Sequence, residues 1–272
     1  MKHMDHKRFK LMRCRRIGIE AVEADTTLAF GRHTHEQFGV GMIERGAHKS
    51  ASGRGAVEAC AGDIITVNPG EVHDGAPIGD GGRAWRILYL DPAIVVEAVA
   101  DITEGKTRAG LEFTRPVLSD RRIGTLFGKL YRAMTSSDAL HDGLRADETL
   151  LMLLGDLLQP GSGGEDLVPA SIASARSLID DDPAAALTLD ALARQADLSR
   201  YQFLRSFARA TGLTPHAYLM QRRIHRARQL IANGARLSDA AADSGFADQS
   251  HMTRLFVRSF GMAPGAYARA VG

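Results

Sequence analysis

The C-terminal part of this 272-residue chain repeats itself, and the repeat limits the possible fold more than any other feature. The stretch Thr188–Tyr218 (TLDALARQADLSRYQFLRSFARATGLTPHAY) returns as Arg236–Tyr267 (RLSDAAADSGFADQSHMTRLFVRSFGMAPGAY). Phe207, Gly212, Pro215 and Tyr218 recur as Phe256, Gly261, Pro264 and Tyr267, each 49 positions on, whereas Leu189 and Ala193 recur as Leu237 and Ala241 after 48. One residue is therefore inserted midway through the second copy. An insertion inside a helix would rotate every later side chain off its face, so the midpoint is a turn, and each copy reads helix, turn, helix.

In the first copy Thr188 starts a short helix whose Ala191, Ala193 and Ala196 allow close packing, and Asp197–Leu198 form the turn. Ser199 with Gln202 three residues later has the form of a capping box. Phe203 and Phe207 share the inner face, leaving Arg200, Tyr201, Leu204 and Arg205 to point outward. In the second copy Asp248 caps, Met252, Leu255 and Phe256 face inward, and Gln249, Ser250, Thr253 and Arg254 remain outside. Gly212 and Gly261 stand where C-cap glycines belong. Pro215 to Asn233 supplies one longer connecting helix with Arg222, Arg223, Arg226 and Arg228, which read either as a solvated face or as phosphate contacts. A rigid connector of this kind can present two helices to successive major grooves about 34 Å apart. Charge agrees. From Ala170 to Gly272 there are thirteen Arg, no Lys and eight Asp, a net of +5, against −3 for the rest of the chain. A basic module beside an acidic one suits a polyanion partner, and guanidinium forks suit phosphates and guanine edges.

At these residues the sequence resembles the AraC/XylS family of bacterial regulators, most closely over GFADQSHMTRLFVRSFGMAPGAY (Gly245–Tyr267) and LSRYQFLRSFARATGLTP. The resemblance implies double-stranded DNA as partner. It assigns base contacts to Tyr201, Leu204 and Arg205, and then to Gln249, Ser250, Thr253 and Arg254; Arg200, outward on the first of these helices, is a further expected DNA contact. Two positions depart from the pattern: Leu204 is apolar where a polar residue is common, and Ala240 is small where a larger aliphatic is usual.

Residues 17–91 predict short strands between turn signals at Gly31, Gly46, Gly53–Gly55, Gly62, Pro69–Gly70 and Gly79–Gly82. His33 and His35 share a face if that segment is a strand, and Pro69–Gly70 delivers His73 from a neighbour. Paired histidines followed by Gly…Pro-Gly-x-x-His resemble the two cupin motifs, the fold common in sensor domains of this family. The resemblance implies a small-molecule effector in the barrel mouth, lined by Arg32, His33, His35, Phe38, His73, Trp85 and Tyr89. The alternative is a divalent metal on His33, His35 and His73. Against it, Gly39 and Val40 stand where the cupin glutamate belongs, with Glu36 and Glu44 poor substitutes, so no metal or other cofactor is expected.

Helical spacing returns over 119–158, with Leu126, Leu130, Tyr131 and Met134, then Leu150, Leu151, Leu154, Leu157 and Leu158, broken near Ser136–Asp138. These faces serve either a homodimer, which the family resemblance favours, or packing on the barrel itself. QPGSGGEDLVP (Gln159–Pro169) reads as a linker. The expected fold class is α+β. An N-terminal β-barrel of cupin-like jelly-roll type with trailing helices spans 1–158, a linker 159–169, and an all-α domain of two helix-turn-helix units joined by a long helix 170–272. No apolar run reaches the roughly 20 residues of a membrane span, and Met1–Arg16 is basic without an apolar segment after it, so neither membrane nor secretion is expected. Two cysteines make no disulfide framework, and a cytoplasmic location is expected. The function expected is an effector-controlled, sequence-specific transcription regulator, leaning to activation, with RNA polymerase as a further partner and no enzymatic activity. The alternatives are a metal-dependent cupin enzyme fused to DNA-binding helices, and an architectural DNA-binding protein without effector.

Overall fold

The computed structural model describes residues 7–103, 110–136, 143–160 and 169–272. They divide into two compact units, Met1–Gly163 and Gly164–Gly272.

The first unit begins with nine strands, β1 (Lys7–Met12), β2 (Ile19–Thr26), β3 (Phe30–His33), β4 (Phe38–Arg45), β5 (Ala47–Ser52), β6 (Gly55–Cys60), β7 (Ile64–Val67), β8 (His73–Pro77) and β9 (Arg83–Leu90). There follow α1 (Pro92–Ile102), β10 (Leu111–Phe113), β11 (Val117–Leu118), α2 (Arg121–Thr135), α3 (Gly143–Leu157) and β12 (Leu158–Pro160). The expected closed barrel is not found. Strand pairing gives a six-stranded sheet, β1-β2-β9-β4-β7-β11, a four-stranded sheet, β3-β8-β5-β6, and the pair β10-β12. No ladder joins the two larger sheets among the described residues; they meet through side chains, with Phe30 of β3 against Trp85 of β9 and Phe9 of β1. β1 lies upstream of the expected strand region. Its alternation of Phe9 and Leu11 with basic residues reads as a charged tail until it pairs with β2.

Period-two alternation gives the six-stranded sheet two different faces. Ile19 pairs with Leu90, and both Ala21 and Val40 pair with Leu88; all are buried in one cluster with the helices. α2 is capped by Asp120, whose carboxylate accepts from the Arg122 and Ile123 amides, and it buries Ile123, Leu126, Phe127, Leu130, Tyr131 and Met134 at helical spacing. α3 adds Ala146, Leu150, Leu153, Leu154 and Leu157. Each such side chain removed from water contributes about 1.5–3 kcal/mol. The leucine faces considered for a dimer are therefore used on the chain's own sheet. Residues 137–142, next to the expected helix break, lie outside the described residues. So do 161–168 of the expected linker, whose first residues Gln159 and Pro160 instead pair with β10.

The second unit contains α4 (Ala170–Asp181), α5 (Leu189–Gln195), α6 (Arg200–Thr211), α7 (Pro215–Ala232), α8 (Leu237–Asp243), α9 (Gln249–Phe260) and α10 (Pro264–Val271). α4 was not singled out in the sequence; its Ile172, Ala175 and Ile179 pack with Leu192, Ala193, Phe203, Phe207 and Leu219. Both turns are built alike. Leu198 donates its amide to the Ala193 carbonyl and Phe246 to the Ala241 carbonyl, each at 3.0 Å. The residue before each donor is left-handed, Asp197 at φ 53° and Gly245 at φ 80°. The inserted residue is Ala247, between this turn and the Asp248 cap. Ala240 is fully buried, so a small side chain suffices at that position.

Gly245 is needed for space as well as for its dihedral. A Cβ there would stand 2.8 Å from Ala184 Cα, which is backbone. Gly245→Ala is expected to lower stability by more than about 1 kcal/mol, the cost of a left-handed alanine alone. Asp197→Gly, which relieves the same conformation, is expected to be neutral or stabilising. Urea unfolding of both variants checks this.

Candidate functional site

The face of β9 turned away from the helices carries Arg83, Trp85, Ile87 and Tyr89, two residues apart, and it looks onto the four-stranded sheet. From that sheet come Phe30, His33, His73 and His48. A register shift between Phe30 and His33 lets both rings point inward although they are three residues apart. His33 and His73 rings lie 4.4 Å apart, His33 and His35 5.0 Å, His35 and His73 5.2 Å, and Tyr89 is 4.9 Å from His35. The ligand nitrogens of the three histidines all lie within 4.8 Å of one another. His33 Nδ1 is 2.8 Å from the Gly31 carbonyl and His73 Nδ1 is 3.0 Å from the Glu71 carbonyl. A carbonyl only accepts, so in these contacts both Nδ1 atoms carry the proton, the tautomer in which Nε2 is the acceptor. The donor set suits a divalent cation of borderline softness. The cluster holds no carboxylate, and Glu44 is engaged by Arg86 at 2.8 Å.

Five of the seven expected lining residues come together here: His33, His35, His73, Trp85 and Tyr89. Two do not. Arg32 is exposed, because the bulge in β3 turns it away from the gap. Phe38 pairs with Leu90, hence lies on the helix side, where its ring meets Phe113 at 5.4 Å. Two residues were missed. Arg83 is 1% exposed, with Nη1 donating to the Leu28 carbonyl at 3.0 Å and its Cζ 4.9 Å over the Trp85 ring. Period-two alternation from Trp85 would have found it. His48, on β5, has no motif to announce it. Burial, then Arg83 and His73, push its pKa down to about 4, while Asp74 opposes. Burial also lowers that of His73, against its hydrogen bond to Glu71 and the charges of Glu71 and Asp74. A separate cavity of about 460 Å³ lies on the helix side, lined by Ile94, Ala98, Met134 and Leu150. At its rim Arg16 bridges Glu97 at 2.8 Å and Asp147 at 3.1 Å.

In the second unit, α6 begins with the full capping box, Ser199 and Gln202 exchanging side-chain and backbone bonds. α9 begins with Asp248 accepting from the His251 amide. Such caps are worth about 1 kcal/mol each. Arg200, Tyr201 and Arg205 are exposed and Leu204 half-buried; Gln249, Ser250 and Arg254 are exposed and Thr253 half-buried. The two sets occupy equivalent positions. Arg209 and Arg258, one turn further along, are a matching exposed pair that was not singled out. The α7 arginines, expected either as a solvated face or as phosphate contacts, have partners within the unit. Arg222 pairs with Asp180 at 2.9 Å, Arg223 donates to the Pro183 carbonyl at 2.7 Å, Arg226 pairs with Asp182 at 3.5 Å, and Arg228 lies over Phe260 and Tyr267. They brace the unit internally.

Residues 16–154, half of the chain, match the family described as the AraC-like ligand binding domain, and residues 192–270 match a helix-turn-helix domain. YbfI, an uncharacterised helix-turn-helix-type transcriptional regulator of Bacillus subtilis (strain 168), is 30% identical over 228 residues, 82% of this chain and 81% of that protein. The chain belongs to the AraC family of transcription regulators. The transcriptional activator RhaS of Escherichia coli (strain SE11) is 36% identical over 122 residues, 43% of each chain. Apo ToxT from Vibrio cholerae strain SCE256 shares the fold, with a TM-score of 0.59 at 13% identity over 96% of this chain and 100% of that one. ToxT with an unsaturated fatty acid bound gives 0.56 at 11% identity over 92% and 94%. As an AraC-family regulator the chain carries its ligand-binding half in the two-sheet unit and its DNA-binding half in the helical one. Among the described residues no helix is long and apolar enough to cross a membrane.

The folded state keeps His48 neutral down to about pH 4, while an unfolded histidine takes up its proton near 6.5. Between these values the unfolded chain binds more protons, so stability falls as pH is lowered through that window. His48→Gln is expected to flatten part of that decline, read as urea midpoints at pH 7, 5.5 and 4.5.

Proposed function

We propose that this AraC-family regulator binds a small-molecule effector between its two larger sheets and reads DNA with the first turns of α6 and α9. The observation that carries the DNA reading is the equivalence of the two exposed sets. Arg200, Tyr201, Leu204 and Arg205 stand where Gln249, Ser250, Thr253 and Arg254 stand in the second copy, each helix rigidly capped and its opposite face buried. Arg and Gln forks discriminate bases in the major groove, and Leu204 and the Thr253 methyl fit thymine methyls. Arg209 and Arg258 serve the phosphates. For the effector, the carrying observation is the convergence of His33, His35 and His73 on the β9 face that carries Trp85 and Tyr89, polar and aromatic where the other face of β9 is apolar. Differential affinity of the effector for two states of the protein would alter how the DNA-binding half is presented. The working divisions are 1–158 for sensing, 159–169 as linker and 170–272 for DNA.

The regulator acts as a homodimer in the cytoplasm, as an activator in contact with RNA polymerase. With the leucine faces of α2 and α3 spent internally, exposed Leu144 and Met152 of α3 are the apolar surface left for a partner copy. A second reading, a metal-dependent cupin enzyme joined to DNA-binding helices, has the three convergent imidazoles in its favour. It requires stoichiometric bound metal lost in His35→Ala.

Selection of bound sequences from a random pool by the full chain should return a site with two half-sites about one helical turn apart. Arg254→Ala should weaken binding to that site by about 1–3 kcal/mol and relax one base position. Arg258→Ala should weaken all sequences alike and reduce the salt slope. Equal affinity for unrelated sequences would reject sequence-specific control.

A further inference from the structure

Arg83 is a buried cation for which the described residues supply no counter-charge. Its side chain is 1% exposed, yet among the described residues it makes one hydrogen bond, to the Leu28 carbonyl, and no ion pair; Nε has no partner. A guanidinium held away from water is costly unless an anion meets it. The acids nearby are committed elsewhere. Asp74 Oδ1 accepts from the Ala51 amide at 2.7 Å, and Glu71 accepts from Asn68 at 3.0 Å and faces Arg54 at 3.6 Å. What does surround Arg83 is basic or aromatic. His48 Cε1 and Arg83 Nη2 both lie close to Gly75, at 2.8 and 3.6 Å from where a Cβ would stand, and His48 Nδ1 is buried without a partner. The Trp85 and Phe30 rings lie 4.9 and 5.9 Å from the guanidinium carbon.

We infer that the effector is a monocarboxylate with an apolar or aromatic body, its carboxylate on Arg83 and His48 and its body directed along Trp85 toward the three-histidine cluster. This rests on the effector reading above and narrows it. One guanidinium balances a single negative charge; a phosphate dianion would be left undercompensated. A carboxylate takes two donors side by side, which Arg83 can offer from Nε and Nη2. Sugars and other neutral polyols would leave the cation unpaired.

Trp85 is the one tryptophan of the chain, so its emission reports on this spot. The test titrates the full-length protein with benzoate, phenylacetate, hexanoate and octanoate, and with the matching primary amides, reading Trp85 emission and thermal unfolding. At least one acid is expected to shift both, with its amide ten-fold weaker or worse. Arg83→Met should abolish the acid–amide difference and, by removing an unpaired buried charge, raise the melting temperature of the ligand-free protein, whereas a purely structural arginine would lower it. His48→Gln, which leaves Arg83 in place, should weaken the acid several-fold without reversing the preference. Amides that bind as well as acids, or an acid preference that survives Arg83→Met, overturn the carboxylate assignment. If a panel of neutral sugars and polyols shifts the emission while the acids do not, the assignment falls and the effector reading stands. If no class of molecule shifts either signal, both fall.

Discussion

The two-faced β9 sheet organises everything in the sensing half. Its even positions, Leu88 and Leu90, and their cross-strand partners Ile19, Ala21 and Val40 are sealed by α1, α2 and α3 into one apolar core. Because side chains alternate, Arg83, Trp85, Ile87 and Tyr89 must then face the other way, toward the smaller sheet. The helices therefore carry the stability, and the gap between the sheets is relieved of that task. It can hold histidines and a buried arginine that an apolar core would not tolerate.

The DNA-binding half rests on a comparable separation of duties. In α6 and α9 one face is filled by Phe203 and Phe207, or by Met252 and Phe256, and the opposite face is left for the ligand. The sharp turn in front of each helix needs one left-handed residue, and the chain meets that need twice, with Asp197 and Gly245. α7 joins the two units with arginines directed at Asp180, Asp182 and backbone carbonyls. Part of the net positive charge is thus structural. Arg200, Arg205, Arg209, Arg254 and Arg258, by contrast, are all exposed.

The helical half was largely legible because its determinants are local. Caps such as Ser199 with Gln202, C-cap glycines at 212 and 261, and apolar spacing act within a few residues of sequence. The repeat tested each of them twice. α4 escaped notice since a single weakly amphipathic helix outside the repeat has no second copy to support it. The three histidines were legible through their motifs. Arg83 could be placed on the Trp85 face by alternation, but neither its burial nor His48 could be read, because charge in a strand looks like a solvated face until the opposing sheet is in place.

Sequence alone carried the family resemblance and the two-part organisation, and its short-range spacing marked the outward residues of α6 and α9. Tertiary structure decided what long-range pairing controls. It left the sandwich open rather than closed into a barrel, placed Phe38 on the core side and Arg32 outside, and turned the α7 arginines inward. It also spent the leucine faces of α2 and α3 on the chain's own sheet. The physical reason is the same in each case: which face of a strand or helix is covered depends on a partner distant in sequence, and burial by that partner decides whether a charge is solvated, paired or left waiting for a ligand.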